Sequence, residues 1–258
     1  MNPFNQQAPI SGVKKIIAVG SGKGGVGKST VALNLATALK QMGYAVGVLD
    51  TDIFGPSLPR LTGTLGQRPD LDSAGKIAPL VRHGLKLMSM GYLVDENMAV
   101  VWRGPMLFKA MEQLLRDVAW GELDYLIVDL PPGTGDVPLT LAQKVPVAGA
   151  VVVCTPQNLA LTDAKKAIDM FEKINVPTLG VVENMAYLRL DDGGKVQMFP
   201  MGEMDAYLDS KGIPKLAQIP FHPSVSLTSE AGIPVLESQS ASPEAEAFRT
   251  LAKKIASS

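Results

Sequence analysis

The chain has 258 residues, 46% of them hydrophobic, and a formal net charge of −1. That composition supports one sizeable α/β core, and the balanced charge, without any basic run, leaves no electrostatic footprint for nucleic acid. No apolar stretch approaches the ~20 residues of a membrane-spanning helix, the start lacks a secretory pattern, and one cysteine permits no internal disulfide and points to a reducing, cytoplasmic setting.

Residues 1–12, polar with two prolines, read as a flexible lead-in, and residues 13–258 as a single domain. A strand over 14–19 leads through a glycine-rich stretch into a helix over 29–42, stopped by Gly43. A buried strand over 45–49 ends in Asp50-Thr51-Asp52, and residues 53–76 form a long, functional excursion rich in Gly, Pro and Thr. Residues 78–81 and 85–90 predict a β pair turning at His83-Gly84, where His83 reads as surface. Trp102-Arg103-Gly104-Pro105 introduces a helix with Met106, Met111, Leu114 and Leu115 on its apolar side.

Further strands are predicted over 125–128, 149–154, 178–182 and 215–219, and helices over 136–145, 162–174, 204–211 and 243–255, the last with Ser242 as N-cap. The helix over 136–145 tolerates Pro138 in its first turn. Strands alternating with helices give a doubly wound, mostly parallel sheet with helices on both faces. Ligands of such sheets lie at the carboxyl ends of the strands, so Asp52, Asp129, Asn184 and residues 220–222 are expected to converge.

The chemistry concentrates in Gly20-Ser21-Gly22-Lys23-Gly24-Gly25-Val26-Gly27-Lys28-Ser29-Thr30. Gly22, four residues, then Gly27, Lys28 and Ser29 is the spacing of a phosphate-binding loop, placed as required between a strand and a helix. Gly22, Gly24, Gly25 and Gly27 permit tight turning and close backbone approach to an anion. The N–H groups from Gly22 through Thr30, Val26 included, then face the phosphates along with the positive end of the helix. Lys28 supplies charge for the β- and γ-phosphates, and the Ser29 hydroxyl is a hard oxygen for Mg²⁺.

Asp129 ends the apolar strand Leu126-Ile127-Val128 and stands where a nucleoside triphosphatase holds Mg²⁺. Gly133, in the following Pro131-Pro132-Gly133-Thr134-Gly135-Asp136, is placed to offer its N–H to the γ-phosphate. A carboxylate after the second strand can orient the attacking water. With no Asn-Lys-x-Asp stretch for guanine, adenine is the expected base, and the Asn184 amide matches its N6 and N7 edges.

Lys23-Gly24-Gly25-Val26-Gly27-Lys28-Ser29 resembles the deviant phosphate loop of the MinD, ParA and nitrogenase iron protein group. Asp50-Thr51-Asp52-Ile53-Phe54-Gly55-Pro56-Ser57, Trp102-Arg103-Gly104-Pro105-Met106, the 129–136 stretch and Glu183-Asn184-Met185 narrow the likeness. Over roughly Val13 to Ala256 the chain resembles the Mrp/ApbC family of ATP-binding iron–sulfur cluster carriers. The resemblance implies ATP hydrolysis with Mg²⁺, a homodimer whose Lys23 reaches the partner's phosphates, Asp52 as the catalytic acid, Pro220 in the adenine frame, and apo iron–sulfur proteins as clients.

Two departures accompany it. Where the family carries a Cys-x-x-Cys pair after Asn-Met-x-Tyr, this chain has Leu190 and Gly193, and its Cys154 ends a buried apolar run, so no cluster ligand is identified. The family's Pro-x-Asp is here Pro220-Phe221-His222. Asp191 and Asp192 read as a solvated turn, Met198, Met201 and Met204 as flexible core filling, and Phe248, Leu251, Ala252 and Ile255 as a packing face rather than a membrane anchor. The expected function is an ATPase serving cluster assembly and transfer; the alternative is a cluster-free, nucleotide-switched regulatory or scaffold ATPase of the MinD/ParA type.

Overall fold

The structure is a computed structural model that describes residues 7–93, 104–190, 192–199 and 203–258. Its first strand, β1 (Val13–Gly20), is apolar on both sides: Ile16 and Ala18 enter one core cluster, Ile17 and Val19 the other. A strand of that kind must be covered on both faces. The same division recurs in β5 (Leu123–Asp129) and β6 (Gly149–Cys154), which flank β1 in parallel.

With β2 (Val46–Asp50), β3 (Leu80–Arg82), β4 (Leu85–Ser89), β7 (Thr178–Arg189) and β8 (Lys195–Val196), the sheet order is β3-β4-β2-β5-β1-β6-β7-β8, and β9 (Lys215–Phe221) also pairs with β7. Only the β3–β4 and β7–β8 pairings are antiparallel among the described strands. One face is covered by α1 (Lys28–Gln41), α8 (Val235–Ser238) and α9 (Pro243–Ala256). The other carries α3 (Gly104–Arg116), α4 (Asp136–Lys144), α5 (Asn158–Lys173) and α6 (Met204–Lys211). The doubly wound, mostly parallel architecture is therefore as expected, and Phe248, Leu251, Ala252 and Ile255 are buried against the sheet face.

Several local expectations need correction. The excursion over 53–76 contains a short helix, α2 (Leu58–Leu61). Helix α5 starts at Asn158 instead of 162; Gln157 before it makes no side-chain cap, so no capping residue marks the true start in the sequence. Strand β7 runs on to Arg189, and α7 (Pro223–Glu230) follows β9, capped by the unusual residue His222, whose ring accepts from the Ser224 N–H. Met106 is 49% exposed, whereas Met111, Leu114 and Leu115 are buried as expected.

His83 is no plain surface residue: Nδ1 lies 2.6 Å from Glu237 Oε2 and Nε2 2.9 Å from Gly232 O. In the expected lead-in, Ile10 is buried, Ala8 N donates to Lys144 O at 3.1 Å, and Arg116 donates to the carbonyls of Pro9 and Ala8. Residues 1–6, Trp102, Arg103, Asp191 and Met201 lie outside the described residues. Met204, expected as core filling, is buried.

Candidate nucleotide site

β1 runs straight into the loop, and α1 begins at Lys28 with Gly27 as its first flanking residue in the left-handed conformation, φ 80°. A Cβ at Gly27 would overlap the Asn184 amide, and one at Gly22 would overlap the Asp163 backbone of α5. Glycine at these two positions therefore lets the loop lie directly on its neighbours. No acidic side chain occupies the first turn of α1, so its positive end is left for an anion.

The loop forms the floor of a cleft of about 310 Å³. Lys23, Gly24, Gly25, Val26, Gly27, Lys28, Ser29 and Thr30 line it, and Asp52 faces them from beyond the end of β2. Ser21, Gly55, Ser57, Leu61 and Pro132 complete the walls and were missed from sequence. Gly55 and Ser57 lie in the Asp52–Ser57 stretch quoted above; Leu61 had no signal because α2 was not predicted.

Lys28 Nζ lies 2.6 Å from Asp129 Oδ1, with both side chains buried. Burial raises the Asp129 carboxyl above its ordinary range, opposed by the Lys28 ammonium and the Ser29 hydroxyl. Asp50, also buried, is pushed up to about 7, first by burial and then by the Asp129 charge, against hydrogen bonds from the Asp52 and Leu58 N–H groups. Its Oδ2 also accepts from Ser89 Oγ at 3.0 Å. Asp50 is thus consumed in holding the chain around the strand end. Asp52, partly open to the cleft, accepts from the Phe54 and Gly55 N–H groups at 3.2 Å through one carboxylate oxygen, Oδ1.

The other expected residues take supporting positions. Gly133 N donates to Ser21 O at 2.9 Å, which ties the 131–135 turn to the phosphate loop. Asn184 Nδ2 donates to Val26 O at 2.8 Å from beneath the loop. The next residue, Met185, has φ 53°, and the β7–β9 register breaks between Asn184 and Leu188. Pro220 is buried in β9, and neither Pro220 nor His222 is a wall of the cleft. Lys23 Nζ reaches Gln157 Oε1 at 3.4 Å.

The conditions for a cluster site differ. No group of three or more His, Cys, Asp or Glu among the described residues is arranged to hold a metal ion. Cys154 is buried in β6, and burial, aided by the Glu183 charge, pushes its thiol up to about 12. At the places where the family pattern has Cys-x-x-Cys, Leu190 follows the end of β7 and Gly193 has φ 86°.

Residues 12–256 match the ParA family described as NUBPL iron-transfer P-loop NTPase. The chain is 49% identical over 253 residues to the iron–sulfur cluster carrier protein of Aquifex aeolicus, covering 97% of this chain and 70% of that protein. It is 46% identical over 253 residues to the mouse iron–sulfur cluster transfer protein NUBPL, covering 97% and 79%. Among solved structures, an Archaeoglobus fulgidus nucleotide-binding protein in complex with ADP superposes with a TM-score of 0.76 at 38% identity, covering 86% of this chain and 88% of that one. The Pyrococcus furiosus cell division ATPase MinD gives 0.69 at 27% identity, covering 94% and 98%. A phosphate loop on a doubly wound sheet, matched along nearly its whole length, makes this chain a member of the NUBPL-type iron-transfer family of ParA-like P-loop NTPases.

Proposed function

We propose that the chain is a Mg²⁺-dependent ATPase that works as a homodimer and serves the transfer of iron–sulfur clusters to client proteins. The observation that carries the ATPase reading is the buried Lys28–Asp129 pair beneath an open phosphate cradle, with Asp52 across the cleft. The ADP-bound Archaeoglobus structure supports an adenine nucleotide, and the names of the curated relatives support the cluster-transfer role.

The donor set fits Mg²⁺, since the Ser29 hydroxyl and the Asp129 carboxylate are hard oxygens gathered around Lys28 Nζ, at 3.4 and 2.6 Å from it. Held by Ser29 and Asp129, such an ion would supply positive charge to offset that of the phosphates. Lys28 exchanges Asp129 for the phosphates, which releases the carboxylate. Asp52 orients a water whose oxygen bonds to the γ-phosphorus as the bond to the bridging oxygen breaks, giving ADP and inorganic phosphate. Lys23 is supplied across the dimer, and the partner subunit's Lys23 stabilises the charge that gathers on the transferring group. Asn184 and Gly133 hold the loop in shape through Val26 and Ser21. The lone cysteine supports a reducing, cytoplasmic setting.

Three substitutions test the site. Lys28→Ala is expected to abolish nucleotide binding in calorimetry. Lys23→Ala should keep binding and lose hydrolysis, and equal loss of both rejects the cross-dimer lysine. Asp52→Asn should bind ATP and fail to turn it over; unchanged turnover removes its water-orienting role. A nucleotide-switched scaffold is the second reading, favoured by Leu190 and Gly193 at the cysteine places. It predicts unchanged iron–sulfur enzyme activities in cells depleted of the protein.

A further inference from the structure

We infer that this chain holds no iron–sulfur cluster on its own side chains, so that any cluster whose transfer it serves is ligated by groups outside this chain. The inference rests on the cluster-transfer reading and says where the cluster sits while the ATPase acts. Three features carry it.

The first is the β7–β8 hairpin, which closes on itself. Leu190 N donates to Gly194 O at 2.9 Å and Gly193 N to Leu190 O at 3.0 Å, while Asp192 Oδ1 accepts from Gly194 N at 2.8 Å. Gly193 sits at φ 86°, the left-handed conformation that ends a short hairpin loop and favours glycine over a side-chain ligand. The base of the hairpin is fastened as well. Arg189 Nε pairs with the fully buried Glu244 of α9 at 2.7 Å, and Lys195 lies 4.6 Å from the centre of the Tyr187 ring.

The second is the cavity of about 320 Å³ beside this hairpin. Its carboxylates are both paired: Glu183 accepts from Lys215 at 3.2 Å and from Gln218 at 2.6 Å, and Lys215 also pairs with Asp205. Carboxylates already paired with ammonium and amide groups are hard and occupied, the wrong donors for iron–sulfur chemistry.

The third is thiol supply. A cluster held wholly by cysteine takes four thiolates, and two copies of this chain bring only two Cys154 side chains. Each lies in the central strand β6, between β1 and β7, and is 2% exposed. Two such sulfurs cannot meet across a dimer without unfolding both sheets.

The test is anaerobic incubation of the whole chain with ferrous iron and sulfide, with and without ATP and Mg²⁺, followed by desalting and assay of iron, sulfide and the visible charge-transfer band. The expected result is no band, and retained iron equal to that of a Cys154→Ala variant. Stoichiometric iron and sulfide with a band in the wild type overturn the inference, whether the signal is lost in Cys154→Ala or survives in it. Iron–sulfur enzyme activities in cells depleted of the protein separate the outcomes: lowered activities with a cluster bound to the chain remove only this inference, and unchanged activities remove the cluster-transfer reading beneath it.

Discussion

Asp50 and Asp52, two residues apart, meet opposite environments. Asp50 is buried with its oxygens taken by Asp52 N, Leu58 N and Ser89 Oγ, whereas Asp52 looks into the cleft. Burial raises the Asp50 pKa to about 7 from 3.8 in the unfolded chain, so between those values the folded state binds more protons than the unfolded one. Stability from this group is therefore full below 3.8 and falls as pH rises towards 7. Denaturant titrations of the wild type and Asp50→Asn should show a difference in stability that changes across this window and levels off above it. A pH-independent difference would contradict the assignment. Both acids were visible in the sequence, but it took packing to tell the structural one from the one facing the cleft, because burial is a property of the neighbours.

The hairpin and α9 pose the problem at the level of elements. Arg189 leaves the end of β7 to reach Glu244, which has no exposed surface, in the first turn of α9. Breaking a buried ion pair from one side leaves a desolvated charge behind, at a cost of about 3 kcal/mol. Arg189→Ala should lose about that much in urea denaturation, and Glu244→Gln less, since the amide keeps a hydrogen-bonding oxygen. Equal, negligible losses would show that the pair is decorative. This contact joins residues 55 positions apart, and no local signal announces it. The short helices α2 and α7 were illegible for a related reason: Leu58–Leu61 is too brief to show a period, and His222 is not a residue from which an N-cap is inferred.

For the whole molecule, Lys23 and Asp52 both line the cleft, and Lys23 in the single chain rests on Gln157. A lysine that acts on a second subunit's nucleotide makes turnover depend on association. Asp52→Asn with ATP and Mg²⁺ should therefore sediment at twice the mass seen with ADP. Specific activity of the wild type should rise with protein concentration until the dimer saturates. A single mass under both nucleotides, with concentration-independent activity, would remove the dimer from the mechanism.

By itself the sequence determined the layer architecture and the phosphate loop. Apolar runs that must be buried on both faces, alternating with helical patterns, leave little besides a doubly wound sheet, and the loop's glycines, Lys28 and Ser29 are contiguous in the chain. Tertiary structure alone decided which distant groups serve that loop. It placed Asn184 under Val26, Gly133 on Ser21 and Asp129 on Lys28, and it buried Cys154 in a central strand. The physical reason is that backbone conformation and amphipathic period are local, whereas burial, hydrogen-bond satisfaction and charge pairing are set by residues that meet only when the sheet is assembled.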